Sequence, residues 1–224
     1  MPLRSSPLII PSVGATSALI NNPARLWMAV LLVNNREKPF TVRDFSLLSG
    51  LSVGFISKFA NLLRQTGFLR VGRYLQVVEP GSLLNIIREL YFFEGNTVTP
   101  YYSEDSTDVI LKKIKQADKK RRYALTRMCG AALVAPYVRY QLVDFYLESA
   151  EEISYWKKFL NLVDVEISGN VNVVIPQDSK ILVQTQNLKG WSLVNNLQLY
   201  LDLYKYPARG REQAEHLREQ VLKI

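Results

Sequence analysis

The stretch Thr41-Val42-Arg43-Asp44-Phe45-Ser46-Leu47-Leu48-Ser49-Gly50-Leu51-Ser52-Val53-Gly54-Phe55-Ile56-Ser57-Lys58-Phe59-Ala60-Asn61-Leu62-Leu63-Arg64-Gln65 carries two helix signals separated by a break. Thr41 is placed to cap the first helix, with Asp44 three residues on as its capping-box partner. Phe45 and Leu48 then share one face. Gly50 ends this helix, because a left-handed turn costs glycine no steric clash. Ser52 caps a second helix that runs to Gln65 and buries Phe55 or Ile56, Phe59, Leu62 and Leu63. Gly67 stops it. Phe68 to Val71, the basic tip Gly72-Arg73 and Tyr74 to Val78 read as a short hairpin. Helix, turn, helix and hairpin together predict a winged helix-turn-helix.

Outward from this core, Pro23 stands where a helix can start, after Asn21 and Asn22 as caps, and the apolar run from Ala24 to Asn34 reads as a buried helix. Residues 1–22 read as an extended arm. Glu79-Pro80-Gly81 closes the hairpin, and Ser82 is placed to cap a helix through Leu90 and Tyr91 that packs back on the first. Residues 93–108 read as a connecting loop, and the basic run 112–127 as a helix leaving it. Beyond, Cys129–Ala135, Ala150–Leu160, Asn196–Tyr204 and Arg211–Leu222 read as helices. Strands are expected at Leu142–Leu147, on both sides of Ser168-Gly169-Asn170 between Val163 and Ile175, at Lys180–Gln184 and at Leu193-Val194. The expected class is α+β: a winged helix-turn-helix over 23–92, a linker with a basic helix over 93–122, and a mixed α/β domain over 123–224.

The charge is uneven. Among 224 residues there are 28 Lys and Arg against 20 Asp and Glu, a net charge of +8. Residues 1–100 carry ten basic and five acidic side chains, whereas residues 151–224 carry nine of each. A basic front and a neutral back point to one part that meets a polyanion and another with a different task. The longest apolar run, Trp27 to Val33, is far short of the ~18 residues a membrane helix needs. Pro7 and Pro11 bracket Leu8-Ile9-Ile10 too tightly for a secretory signal, so a cytoplasmic location and no membrane contact are expected. A single cysteine, Cys129, and a single histidine, His216, argue against an internal disulfide, a zinc site or a thiol protease.

On the helix from Ser52, the positions opposite the apolar face are Ser52, Val53, Gly54, Ser57, Lys58, Asn61 and Arg64. In duplex recognition such a helix enters the major groove. Ser57, Lys58 and Asn61 are the candidate base contacts, Arg43, Arg64, Arg70 and Arg73 the candidate phosphate contacts, and Ser52 a further candidate DNA-binding residue. The alternatives are a winged helix that contacts protein, and a metal-dependent nucleotidyl- or phosphoryl-transfer enzyme. Asp164 and Glu166 would serve the latter from one face of a strand, with Asp178 the nearest third carboxylate. Gly81-Ser82 lies in the wrong domain to cradle a phosphate. No nucleotide-binding glycine loop or nucleophile elbow appears, so no catalytic residue, metal or cofactor is expected. His216 reads as a surface residue and Cys129 as a buried one. Trp191, Tyr200, Tyr204 and Tyr206 read as core, or alternatively as a partner-protein surface.

Tyr123-Ala124-Leu125-Thr126, Ala131-Ala132-Leu133 and Ala135-Pro136-Tyr137-Val138 resemble the middle of AbiEi-like antitoxins of type IV toxin–antitoxin systems. So do Leu197-Gln198-Leu199-Tyr200-Leu201-Asp202-Leu203 and the segment from Tyr206-Pro207 through Arg209-Gly210-Arg211 to Ala214-Glu215 and Leu217. With the winged helix in front, the resemblance spans most of residues 23–224. It implies a DNA-binding repressor of its own operon whose C-terminal domain opposes a nucleotidyltransferase-like toxin, directly or functionally. Three residues, at two places in the chain, depart from the pattern. Lys205 and Ala208 flank a turn that is more glycine-rich in the family, and Ser49 stands where an apolar residue is usual.

Overall fold

The computed structural model describes residues 18–20 and 22–224, and the chain divides into two compact units, one comprising the chain up to Tyr91 together with Ile224 and the other running Phe92–Lys223. The arm expected over 1–22 lies mostly outside the described residues. Within it, Ala18–Ile20 forms one 3-10 turn.

In the first unit, α1 (Pro23–Asn34) starts on the Asn22 cap, whose side chain accepts from the Arg25 amide at 2.9 Å. Pro23 sits at the start of the helix, where its missing N–H leaves no intrahelical bond unmade. α2 (Val42–Ser49) carries the complete capping box: the Thr41 hydroxyl accepts from the Asp44 amide at 3.3 Å and the Asp44 carboxylate accepts from the Thr41 amide at 3.1 Å. Gly50 follows in the left-handed region at φ 69°. α3 (Val53–Gln65) begins on the Ser52 cap and buries Ile56, Phe59, Ala60 and Leu63. Phe55 and Leu62 are only half-buried, so Ile56 rather than Phe55 anchors the apolar face. α4 (Pro80–Leu90) starts at Pro80 with Glu79 before it, three residues earlier than a Ser82 cap would place it, and packs on α1.

The second unit is built, among the described residues, on a seven-stranded mixed sheet with order β4-β1-β5-β3-β2-β7-β6. Its strands are β1 (Thr97–Tyr102), β2 (Tyr123–Thr126), β3 (Val143–Leu147), β4 (Val163–Asp164), β5 (Val171–Ile175), β6 (Thr185–Leu188) and β7 (Trp191–Val194). β3 is buried along its whole length and alternates between faces. Val143, Phe145 and Leu147 join Ile110, Ile114, Trp156 and Leu160 in one core cluster, contributed by α5 (Thr107–Lys115) and α7 (Ile153–Leu160). Tyr146 points the other way, toward α8 (Asn196–Tyr204), which packs with α6 (Arg127–Val134) and α9 (Gly210–Leu217). A π-helical turn, Arg218–Leu222, follows α9.

Three expectations are corrected. Residues 93–122 are not a linker: β1 pairs with β5 from Thr97–Ile175 to Tyr101–Val171, deep in the second unit. Pro100 disguised this strand, since proline removes a ladder donor. It is tolerated because β4 reaches only Tyr101 and Tyr102, leaving β1 open on that side at Pro100. The basic run is not one helix either. It spans the end of α5, a turn, β2 and the first residue of α6. Finally, Ser179–Gln184 is a 3-10 segment, and the strand expected over Lys180–Gln184 begins only after it, at Thr185, as β6.

Candidate nucleic-acid interface

The axes of α2 and α3 meet at a bend of 115° across the Gly50 turn. Ser49, the departure noted above, is buried: its hydroxyl accepts from the Leu51 amide at 3.2 Å, and its carbonyl accepts from Trp27 Nε1 at 3.0 Å. The polar residue therefore fastens the turn from inside and ties it to α1. After α3 the chain forms a short antiparallel hairpin, with Leu69 opposite Val77, the Arg70 amide donating to the Gln76 carbonyl at 2.9 Å and the Val78 amide to the Phe68 carbonyl at 2.9 Å. Leu75 is buried and its amide donates to the Phe40 carbonyl at 2.8 Å, which holds the hairpin against the segment preceding α2.

Arg43, Lys58, Asn61, Arg70 and Arg73 are all exposed, and Ser57 is half-buried. Among the described residues, no ion pair engages Arg43, Lys58, Arg70 or Arg73. The Arg73 guanidinium rests 5.9 Å from the Tyr74 ring centroid. Three residues of this outer face have prior engagements, Asn61 among them through its Oδ1. The Ser52 hydroxyl accepts from the Phe55 amide at 3.3 Å as a helix cap. Arg64 is half-buried and donates to Asn61 Oδ1 at 2.9 Å and to the Gly72 carbonyl at 3.0 Å, so it braces the hairpin tip against α3. Periodicity placed Arg64 on the outer face but held no information on how the hairpin folds back. Leu47 and Val71 are exposed at 88% and 82%, apolar side chains beside the basic ones that a search for charge passes over.

The carboxylates considered for metal chemistry do not share a strand face. β4 ends at Asp164, and Glu166 follows in an irregular segment. Both Asp164 oxygens accept from Lys157 Nζ, at 2.8 and 2.6 Å. Among the described residues, no group of three or more His, Cys, Asp or Glu side chains is arranged to hold a metal ion.

Half of the basic run is neutralised locally. Lys113 pairs with Asp105, Arg121 with Glu152, Arg122 with Glu148 and Arg127 with Asp144. Cys129 is fully buried, and burial pushes its thiol up to about 12. His216 is half-buried and stacks on Tyr137 at 4.5 Å between ring centroids. The four aromatics read as core lie in different places: Trp191 packs at the α5–α7 core, Tyr200 and Tyr204 sit together on α8, and the Tyr206 ring centroid lies 4.9 Å from the Arg127 guanidinium.

The segments that carry the family resemblance meet in space. Gln213 of α9 is buried, accepts from the Val138 amide at 2.8 Å and donates to the Ala135 carbonyl at 2.8 Å. Asp202 of α8 accepts from Thr126 Oγ1, from the Tyr146 hydroxyl at 3.2 Å and from Gln198 at 2.8 Å. Compared with protein-family models, curated proteins and solved structures, the chain gives no match. Among the described residues, no single helix is long and apolar enough to cross a membrane.

Proposed function

We propose that the protein is a DNA-binding transcriptional repressor, its first unit a winged helix-turn-helix, and that its second unit serves as the antitoxin part of a type IV toxin–antitoxin system. The observation that carries the DNA half is the exposure of Arg43, Lys58, Arg70 and Arg73 with no ion pair in contact among the described residues, Arg73 feeling only a weak pull from Asp44. Cations left unpaired in this way are available to displace counterions from a duplex. The bend of 115° between α2 and α3 falls within the 90–120° range of helix-turn-helix pairs, which supports the assignment of α3 as the groove-entering helix. Lys58, Asn61 and Ser57 would read base edges, and Arg43, Arg70 and Arg73 would hold phosphates. Arg64 acts by positioning the hairpin. The mechanism is binding, without bond chemistry.

The antitoxin half rests on the resemblance alone. Its expected genomic setting is a nucleotidyltransferase-like reading frame beside the gene, and its test is relief of that product's growth arrest by co-expression. The DNA half is tested by fluorescence anisotropy on a duplex from upstream of the gene. Arg70→Ala with Arg73→Ala should weaken binding to all sequences and reduce the salt slope by roughly 1 per arginine. An unchanged slope would count against the hairpin as a wing.

A further inference from the structure

A second concentration of positive charge lies wholly within the second unit. Where α5 ends at Lys115, the chain turns into β2 opposite the β6–β7 hairpin, and between them opens a cleft of about 540 Å³. Lys115, Lys119, Arg121 and Arg122 line it together with the neutral hydrogen-bonding side chains Thr185 and Asn187. Asp118 is the one carboxylate in its lining, and its Oδ1 accepts from the Lys120 amide at 3.0 Å.

Several of these cations are held in place. Arg121 donates to both oxygens of Glu152 at 2.7 and 2.9 Å and stacks 4.5 Å from the Tyr155 centroid. Arg122 donates to Glu148 at 2.8 Å and to the Leu182 carbonyl at 3.0 Å. Lys115 is fixed differently. Its ammonium lies 4.3 Å from the Trp191 centroid. Its stem crosses Gly190, where an added Cβ would come within 2.8 Å of Lys115 Cε and where φ is +89°. Glycine at 190 thus makes room for the lysine as well as the turn. Glu148 and Glu152 neutralise the two arginines, which leaves Lys115 and Lys119 without a carboxylate partner among the described residues.

A pre-formed concavity within the size range of small-molecule sites, whose lining combines surplus ammonium charge with neutral donors and acceptors, matches an anionic head attached to a polar body. We propose that this cleft binds a phosphorylated small molecule, with its phosphate held by Lys115 and Lys119 and its remainder facing Thr185 and Asn187. The site goes beyond the DNA-binding function and does not depend on it.

The test is isothermal titration calorimetry of the full chain with inorganic tripolyphosphate. Saturable binding should weaken by about tenfold or more in Lys115→Met with Lys119→Ala, the loss of at least one charge-assisted contact. It should be unchanged in Arg70→Ala with Arg73→Ala, the pair that tests DNA binding. Lys119→Ala alone, on an exposed turn, should weaken binding without altering the far-ultraviolet circular dichroism. Absence of binding to the wild-type chain would overturn the proposal, as would binding that survives the cleft variants or is lost in the hairpin variants. Preferential binding of a single-stranded oligonucleotide that depends on Lys115 and Lys119 would assign the cleft to nucleic acid and overturn the small-molecule ligand.

Discussion

The Arg127 guanidinium donates to Asp144 Oδ1 at 3.1 Å while lying 3.7 Å from the Phe93 ring centroid, and Asp144 is fully buried. Asn172 donates to the same carboxylate oxygen at 3.0 Å, whereas Asp144 Oδ2 and Arg127 Nε have no hydrogen-bond partner among the described residues. Burial raises the Asp144 pKa against the opposing pull of Arg127 and Asn172. Removing one member strands a buried charge, which costs about 3–5 kcal/mol, whereas replacing both with apolar groups is often neutral. Arg127→Met should therefore destabilise the second unit strongly in urea unfolding, and Asp144→Leu added to it should recover much of the loss. A double variant as unstable as the sum of the single variants would refute this.

Arg64 and the hairpin cations should separate experimentally. Arg64→Ala frees the Gly72 carbonyl and should loosen the hairpin, seen as faster amide exchange around Arg70–Gln76 in the protein without DNA. Lys58→Ala should leave that exchange alone in the hairpin but cost about 1–3 kcal/mol of discrimination at one base position if it reads a base edge. Equal effects from Arg64→Ala and Lys58→Ala would erase the distinction between positioning and contact.

The α2 cap predicts a pH dependence. Hydrogen bonds from the Thr41 hydroxyl, then the Thr41 amide, hold the Asp44 carboxyl below its ordinary value despite a small opposing effect of burial, with Arg73 adding a weaker pull. A depressed carboxyl contributes stability that is present above its unfolded pKa and lost as pH falls through the folded one. The stability difference between wild type and Asp44→Asn should thus be full near neutrality and shrink as pH drops through the carboxylate range. A gap independent of pH would point to packing instead.

Cys129 should behave as an inert thiol. Its sulfur contacts the Thr126 and Asp144 carbonyls at 3.2 and 3.3 Å, and its pKa is pushed up to about 12, first by burial and then by Asp144. Iodoacetamide at mildly alkaline pH should leave the native protein unmodified and label it only after denaturant is added. Rapid labelling of the native chain would contradict the burial.

The sequence by itself determined the elements whose signals are local. The Thr41–Asp44 box, Gly50 and the Ser52 cap act within a few residues of chain, so α2, its turn and α3 were legible with their ends. The outward positions of Lys58 and Asn61 followed from helical period. Only the tertiary structure decided the rest, because those features depend on partners far away in the chain. β1 exists as a strand through residues some seventy positions later, from Thr97 with Ile175 to Tyr101 with Val171, against the local signal of Pro100. Half of the basic run was removed from solution by carboxylates that no spacing rule connects to it, and Arg64 was recruited by a hairpin carbonyl. Caps and periods are written in neighbouring residues, whereas strand pairing and charge compensation arise only when distant segments are brought together.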